Sequence, residues 1–583
     1  MRTARPRYFP QSHYAPEDRV SRIPADFRPA PAPDEFLAAP AAGPDERIDV
    51  GVLFVGAGPA GLAGAIRLAQ LLETAPEVKE RLGETPIAVA EKGKYPGAHL
   101  LSGAVVNPVA FRTLFPDVPL SDLPLRTPVS GESVHVLTAA RAIGIPTPPP
   151  MRNHGNYTAS LSEIGRWLGE RAEALGVMLL NETVAQKLLV KDGAVHGVLS
   201  GAKGLGRDGT PLPNHEPGVE MHAQATVLSE GVTGHLSQAL IEHFDIRGPN
   251  PQVYSLGVKE VWEVPRPLDR VIHTMGWPLR GGKRWREFGG TWLYPLGEHQ
   301  VSVGLVLGLD YADASLSAHD LLQEFKLHPL ARRVLEGGTR HERGWGAKAI
   351  PEGGYYALPR RLAVPGAVLT GDAAGFVNVP ALKGIHYAMW SGILAAEAIF
   401  AALEAGRDLR ASGALDGYDA AVRASFIARD LYRVRNTRQA FGAGFFAGGA
   451  LAGLMTATAG IFPGWRFGTA GDADHAVAPS GRTYLKPDGA YTFDKLSSVY
   501  VSGNRTRDTQ PNHIRVRTDV PADIAEMWIR MCPAEVYEWG TDAEGKRVLV
   551  VNASNCVQCG AIGAKGGRLT PPEGGSGPEY TVT

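Results

Sequence analysis

Residues 48–61 read I-D-V-G-V-L-F-V-G-A-G-P-A-G. Val50, Val52, Leu53, Phe54 and Val55 make the near-continuous apolar run of a parallel strand covered on both faces. Gly56, Gly58 and Gly61 then place G-x-G-x-x-G where that strand must turn into a helix starting near Ala60. The first glycine permits the tight turn, the second lets backbone approach a pyrophosphate, and the third lets helix and strand pack closely, with phosphates on the positive helix end. An acidic residue should close the second strand to bind a ribose hydroxyl, and 87–91, I-A-V-A-E, supplies Glu91. Strand, glycine turn, helix and acid together point to an adenine dinucleotide site; the glycine motif alone would be an ordinary strand-to-helix turn.

Working outward, residues 97–103, G-A-H-L-L-S-G, form a glycine-bounded loop at the carboxyl end of a strand, where such sheets place ligands, and Ser102 and Gly103 close it. Residues 225–231, A-T-V-L-S-E-G, repeat an apolar strand ending in a small residue and glycine, the second recurring element of glutathione-reductase-type flavin domains. A third lies at 367–375, A-V-L-T-G-D-A-A-G, where Gly371 turns the chain and Asp372 can accept hydrogen bonds from a ribityl chain. The helix expected at about 385–402 aims its N-terminus at isoalloxazine or phosphate. Three elements in this order favour FAD over NAD. No second G-x-G-x-x-G domain is found, which argues against direct reduction by NAD(P)H.

The 583 residues, 44% hydrophobic and 20% charged, suit two to four folded domains. A net charge of −1 argues against a nucleic-acid partner that needs a broad basic face. Residues 1–46 hold nine prolines and read as an extended arm without a cleaved address. Residues 250–355 alternate as in an antiparallel sheet, with Gly289 and Gly290 beside aromatics, read on local grounds as a bulge. Two stretches are lipid candidates. Residues 105–125 read first as a core-covering loop and second as a surface dipping into lipid. Residues 441–465 carry no charge but seven glycines and a proline, which favours an interfacial hairpin over a span. Arg433, Arg435 and Arg438 before it and Arg466 after it suit anionic lipid.

All three cysteines, Cys532, Cys556 and Cys559, lie in the C-terminal unit. C-P followed by a distant C-x-x-C is ferredoxin-like spacing for thiolates on an iron–sulfur cluster, whereas zinc would want a fourth Cys or His nearby.

On V-G-A-G-P-A-G-L, G-A-H-L-L-S-G, N-H-G-N-Y, H-T-M-G-W-P-L, G-F-V-N-V-P-A-L-K-G-I-H, C-P-A-E-V-Y with N-C-V-Q-C, and P-E-G-G-S-G-P-E-Y, the chain resembles the electron transfer flavoprotein–ubiquinone oxidoreductase family from about residue 48 to 580. The resemblance implies an α/β chain with an α+β insert. Residues 47–250 and 356–483 would form a glutathione-reductase-type FAD domain, 251–355 an antiparallel-sheet quinone-binding domain, and 484–583 a small ferredoxin-like domain. It further implies FAD and a [4Fe–4S] cluster, reduced electron transfer flavoprotein as donor, and a quinone, ubiquinone or menaquinone, as acceptor. Gly289 and Gly290 would meet the quinone, and the 105 region and 441–465 would dip into the membrane. The setting implied is the cytoplasmic face of a bacterial inner membrane, with the matrix side of the mitochondrial inner membrane as alternative. No side chain is required as catalyst, because the cofactors carry the chemistry. One departure stands out: the family's third cysteine of C-x-x-C-x-x-C falls at Ile562, so any cluster would be held by three cysteines or settle as [3Fe–4S]. The competing expectations are a flavin-dependent monooxygenase or prenyl reductase with structural cysteines, and a degenerate scaffold.

Overall fold

A computed structural model describes residues 21–32 and 35–583. The arm expected at 1–46 therefore lies partly outside the described residues. Its later part is bound to the body: Leu37–Ala38 pairs in parallel with the strand Ala185–Lys191, and Arg568 bridges to Glu35.

The architecture is mixed α/β. Among the described residues nine strands make the first sheet, whose central strand Arg47–Val55 lies between Glu220–Leu228 and Ile87–Ala90, all parallel. Ala367–Leu369 extends the parallel set from Glu220–Leu228. Val50 to Val55 are buried, as a strand covered on both faces requires. One cover is the pair of helices Pro59–Glu73 and Ile385–Glu404. They meet where Gly392 faces Gly64, and a Cβ at Gly392 would come within 2.0 Å of the Ala60 carbonyl. The second helix is apolar and long enough by length and composition to cross a membrane, but it is mostly buried in this core.

The second sheet has the order Thr339–Pro351, Tyr254–Glu263, Gln300–Gly308, Gly289–Pro295, Val271–Gly276, Glu132–Leu137, Ala142–Ile145. Its first five strands are antiparallel, as the alternation implies, but Val271–Gly276 pairs in parallel with Glu132–Leu137. The sheet therefore does not fit within 251–355. It borrows two strands from the preceding 200 residues, and local alternation carries no record of a partner so far away in sequence.

The C-terminal unit contributes the helix Ala522–Met531 and two short ribbons, Ile514–Arg515 with Arg568–Leu569 and Tyr537–Thr541 with Arg547–Val551. It is less separate than composition suggests. Trp528, Met527, Cys532, Tyr537 and Ile562 share one buried apolar cluster with Trp262, Leu305 and Trp345 of the second sheet.

The two lipid candidates divide. In 105–125, Val105, Val106, Phe111, Leu114 and Leu123 are all buried, so this segment covers the core and offers those apolar residues to the interior. In 441–465 a single helix, Phe445–Ala457, is followed by an irregular return. Thirteen residues rise about 20 Å, short of the ~30 Å of a bilayer core. Phe446 is 82% exposed, Ile461 80% and Trp465 62%. The flanking cations are not all free for lipid. Arg435 is buried and donates to the carbonyls of Gly460 and Pro463, and Arg438 is buried between Asp310 and Glu352. Arg433 and Arg466 remain exposed.

Candidate functional site

The carboxyl ends of the first sheet's parallel strands open on a cavity of about 340 Å³ that reaches across to the second sheet and the cysteine loop. Gly56, Gly58, Glu91, Ser102, Gly103, Gly371 and Asp372 bring all the expected dinucleotide elements but Gly61 to its wall. Gly61 lies one layer behind, where a Cβ would stand 2.1 Å from the Gly56 carbonyl. Gly56 has φ +105° and packs on the Ser229 carbonyl. Gly58 differs: its backbone is ordinary extended chain, and a Cβ there would meet nothing closer than Leu100 at 3.9 Å. The open space beside it fits the close backbone approach that a pyrophosphate needs.

Glu91 shapes this turn directly. One carboxylate oxygen accepts from the Ala57 amide at 2.9 Å and the other from Gly93 at 2.7 Å. Each oxygen retains a lone pair for a hydroxyl on the cavity side. Ser102 enters through its carbonyl, which accepts from the buried Lys259 ammonium at 2.9 Å. Burial lowers that lysine to about 7. Gly103 is small because the Trp292 ring stands 3.0 Å from where its Cβ would be. Glu230 turns inward to accept from the Ser237 amide at 2.6 Å, tying the second flavin element to the helix His235–His243. Among the described residues no side chain hydrogen-bonds to the Asp372 carboxyl, and burial raises it to about 6 against the pull of Lys348.

Two helix N-termini, with Gly58 and Gly384 as caps, face the cavity. His99 Nδ1 and both ring nitrogens of His513 are buried on its wall without partners among the described residues. Burial holds His99 well below its usual range and His513 at about 4, so both rings are neutral and can donate or accept. Open glycine, positive helix ends and orphaned polar atoms fit an elongated, anionic, polar-edged ligand such as a dinucleotide.

Sequence reading missed the lysines. Lys92, Lys348 and Lys383 all line the cavity. Lys92 directly follows Glu91, and Lys348 interrupts the small and apolar run G-W-G-A-K-A-I-P, a signal that could have been read. Lys383, inside P-A-L-K-G-I-H, donates to Asn153 Oδ1 of N-H-G-N-Y at 2.5 Å, joining two motifs 230 residues apart. From the second sheet come Trp292, Tyr294 and Val306, with the Tyr294 hydroxyl 2.6 Å from His273 Nε2.

Gly289 and Gly290 are not among the lining residues. They begin the strand that carries Trp292 and Tyr294, and both are closed in by backbone: a Cβ would lie 1.9 Å from the Val306 carbonyl at Gly289 and 2.3 Å from that of Thr274 at Gly290. Phe288, the residue before them, packs on Phe441 at 5.0 Å, at the root of the exposed apolar segment.

The three cysteines converge beside the cavity, whose wall Gln558 of C-V-Q-C joins. The thiols of Cys556, Cys559 and Cys532 act on one another electrostatically, and apolar burial pushes all three up, Cys559 to about 12. The Val536 amide donates to Cys532 Sγ at 3.4 Å and the Gln558 amide to Cys556 Sγ at 3.3 Å. Among the described residues no three His, Cys, Asp or Glu are grouped for a single metal ion. Three cysteines that act on one another, two of them accepting from backbone amides, fit an iron–sulfur cluster held at three corners. Ile562, at the missing position, is buried in the same apolar cluster as Cys532 and Cys556. The Ala349 amide donates to the Cys559 carbonyl at 2.8 Å, so the strand that lines the cavity also holds the cysteine loop.

Comparison with known proteins agrees with this arrangement. Residues 254–350 match the family model "ETF-QO, ubiquinone-binding", and 489–581 match "Electron transfer flavoprotein-ubiquinone oxidoreductase, 4Fe-4S". The electron transfer flavoprotein-ubiquinone oxidoreductase of Pseudomonas aeruginosa is 38% identical over 564 residues, covering 92% of this chain and 99% of that one. The mitochondrial enzyme of Oryza sativa subsp. japonica is 38% identical over 561 residues, covering 92% and 93%. A geranylgeranyl bacteriochlorophyll reductase-like protein from Thermoplasma acidophilum superposes with TM-score 0.52 at 18% identity, covering 70% of this chain and 90% of that structure, a likeness of fold alone. Identity sustained over nine-tenths of both sequences shows that the chain belongs to the electron transfer flavoprotein–ubiquinone oxidoreductase family.

Proposed function

We propose that the chain oxidises reduced electron transfer flavoprotein and reduces a quinone, using FAD in the cavity and an iron–sulfur cluster on Cys532, Cys556 and Cys559. FAD supplies the step between one-electron donors and a two-electron acceptor. The protein's own residues bind and orient. Gly56, Gly58 and Gly61 with Pro59–Glu73 hold the pyrophosphate, Glu91 a ribose hydroxyl, and Gly371 and Asp372 the ribityl side; Ser102 and Gly103 close the ring end. The Gly289–Gly290 end of the second sheet marks the quinone side. In this reading residues 47–250 and 356–483 form a glutathione-reductase-type FAD domain, the second sheet a quinone domain, and 484–583 a ferredoxin-like domain.

The observation that carries the reading is the Ala349 to Cys559 hydrogen bond, which fixes the cysteine loop against the strand lining the flavin cavity. A merely structural set of cysteines has no reason to sit there. Membrane association rests on Phe446, Ile461 and Trp465, exposed beside the Phe288–Phe441 contact, so a lipid-borne quinone would enter from that side. The test is anaerobic purification followed by flavin and iron–sulfide analysis and assay. Quinone reduction by reduced electron transfer flavoprotein, without NAD(P)H-dependent oxygen uptake, is expected. Oxygen uptake driven by NAD(P)H would favour a monooxygenase instead.

A further inference from the structure

We infer that Lys348 is a cation shared by the flavin cavity and the cysteine-held cluster, placed so that its charge acts on both at once. The inference rests on the cofactor assignment just made. Lys348 lies on the strand Thr339–Pro351 with its side chain in the cavity wall. Its ammonium makes a long hydrogen bond, 3.4 Å, to the carbonyl of Gln558 inside C-V-Q-C. Gln558 is itself fixed: it adopts φ +52°, its side-chain amide donates to the Ser576 carbonyl at 2.9 Å, and its backbone amide donates to Cys556 Sγ. The next residue along the strand, Ala349, holds the Cys559 carbonyl. On the cavity side Asp372 and Glu91 are within electrostatic reach of Lys348, as Cys556 and Cys559 are on the other.

Among the described residues no carboxylate comes within ion-pair distance of this ammonium, and burial, with Lys92 nearby, lowers it to about 8. A half-buried cation without a carboxylate beside it is unfavourable unless anions arrive there. The cavity that Lys348 lines and the cysteine loop that it hydrogen-bonds are where anionic groups would arrive. A fixed positive charge between two electron carriers stabilises the more negative, reduced form of each. It therefore raises both potentials, which tunes exchange with the outside donor and with the quinone. A counter-ion serving FAD alone would not behave in this way.

The experiment is a redox titration of anaerobic holoenzyme, following flavin by absorbance and cluster by EPR, for the unsubstituted protein, K348Q and K348R. The expected result is a fall in both midpoint potentials in K348Q at unchanged flavin and iron content, with K348R close to the unsubstituted protein. K348M replaces K348Q if the latter does not accumulate. A shift confined to the flavin, or loss of FAD, would show a local counter-ion and overturn the inference while leaving the cofactor assignment standing. Unmoved potentials, or a fall as large in K348R, overturn the charge argument. Unsubstituted protein with flavin but no iron overturns the cluster assignment, and the inference with it.

Discussion

A methyl group added at Gly56 or Gly61 would meet a backbone oxygen at 2.5 or 2.1 Å, whereas one at Gly58 would point into open cavity. Substitution should therefore separate folding from ligand binding. Gly58→Val is expected to purify folded, with thermal stability of the ligand-free protein within about 1 kcal/mol of the original, and without FAD. Stoichiometric flavin in that variant would remove the pyrophosphate from this turn. Asp372 gives a pH signature. Its carboxyl is raised from 3.8 to about 6 by burial, so the folded state holds the proton more tightly than the unfolded chain. Stability from this group is present at low pH and declines as pH rises from about 4 to 6, by of order 3 kcal/mol if nothing relaxes. In ligand-free protein, the melting-temperature gain of Asp372→Asn over the original should grow across that window and then level off. A constant difference would mean the carboxylate is hydrated or paired. These residues were legible because G-x-G-x-x-G and G-D fix chemistry locally. Lys348 left a signal only as a charge inside an apolar run, and His513 left none, since it acquires meaning only when its loop lines the same cavity.

Among the elements, the helix Phe445–Ala457 and its return present large apolar side chains that touch little of the protein. Replacing Phe446 and Ile461 by serine should release the protein from liposomes or detergent while leaving its melting temperature unchanged. Each side chain is worth ~1.5–3 kcal/mol if fully buried in lipid. Equal flotation of variant and original on a gradient would move the membrane contact elsewhere. Uniform lack of charge marked this element in the sequence, whereas at 105–125 the residues favoured a core-covering loop, as the burial shows, and the family resemblance pointed to lipid. Composition registers apolarity and not direction. The short helix Ala561–Ala564 carries Ile562 in the apolar cluster beside the cysteines. Ile562→Cys is expected to lose roughly 1–3 kcal/mol of stability through the smaller side chain, and to slow iron loss in air by giving the fourth corner a thiolate. Iron retention identical to the original would show that the corner already has another ligand.

For the whole molecule, the parallel pairing of the first strands and a cavity at their carboxyl ends followed from pattern, because buried parallel strands have few alternatives. Two things did not: the recruitment of Glu132–Leu137 into the second sheet, and the fusion of the C-terminal unit with that sheet's core. Both are long-range pairings, settled by which apolar surfaces remain to be covered. The fusion bears on kinetics. The cavity wall and the cysteine loop are joined through one strand, by the Ala349 amide to the Cys559 carbonyl, and by a common core, so no hinge separates them. Enzymes whose redox modules swing on linkers slow down in thickened solvent, because each turnover waits on a diffusive excursion. Here the internal hop should run at the same speed in buffer and in 40% glycerol, while the bimolecular encounter with the donor slows in proportion to viscosity. Stopped-flow traces showing that only the second-order phase responds would place the molecule among fixed-distance conductors, and a viscosity-sensitive internal phase would reveal a motion that this packing forbids.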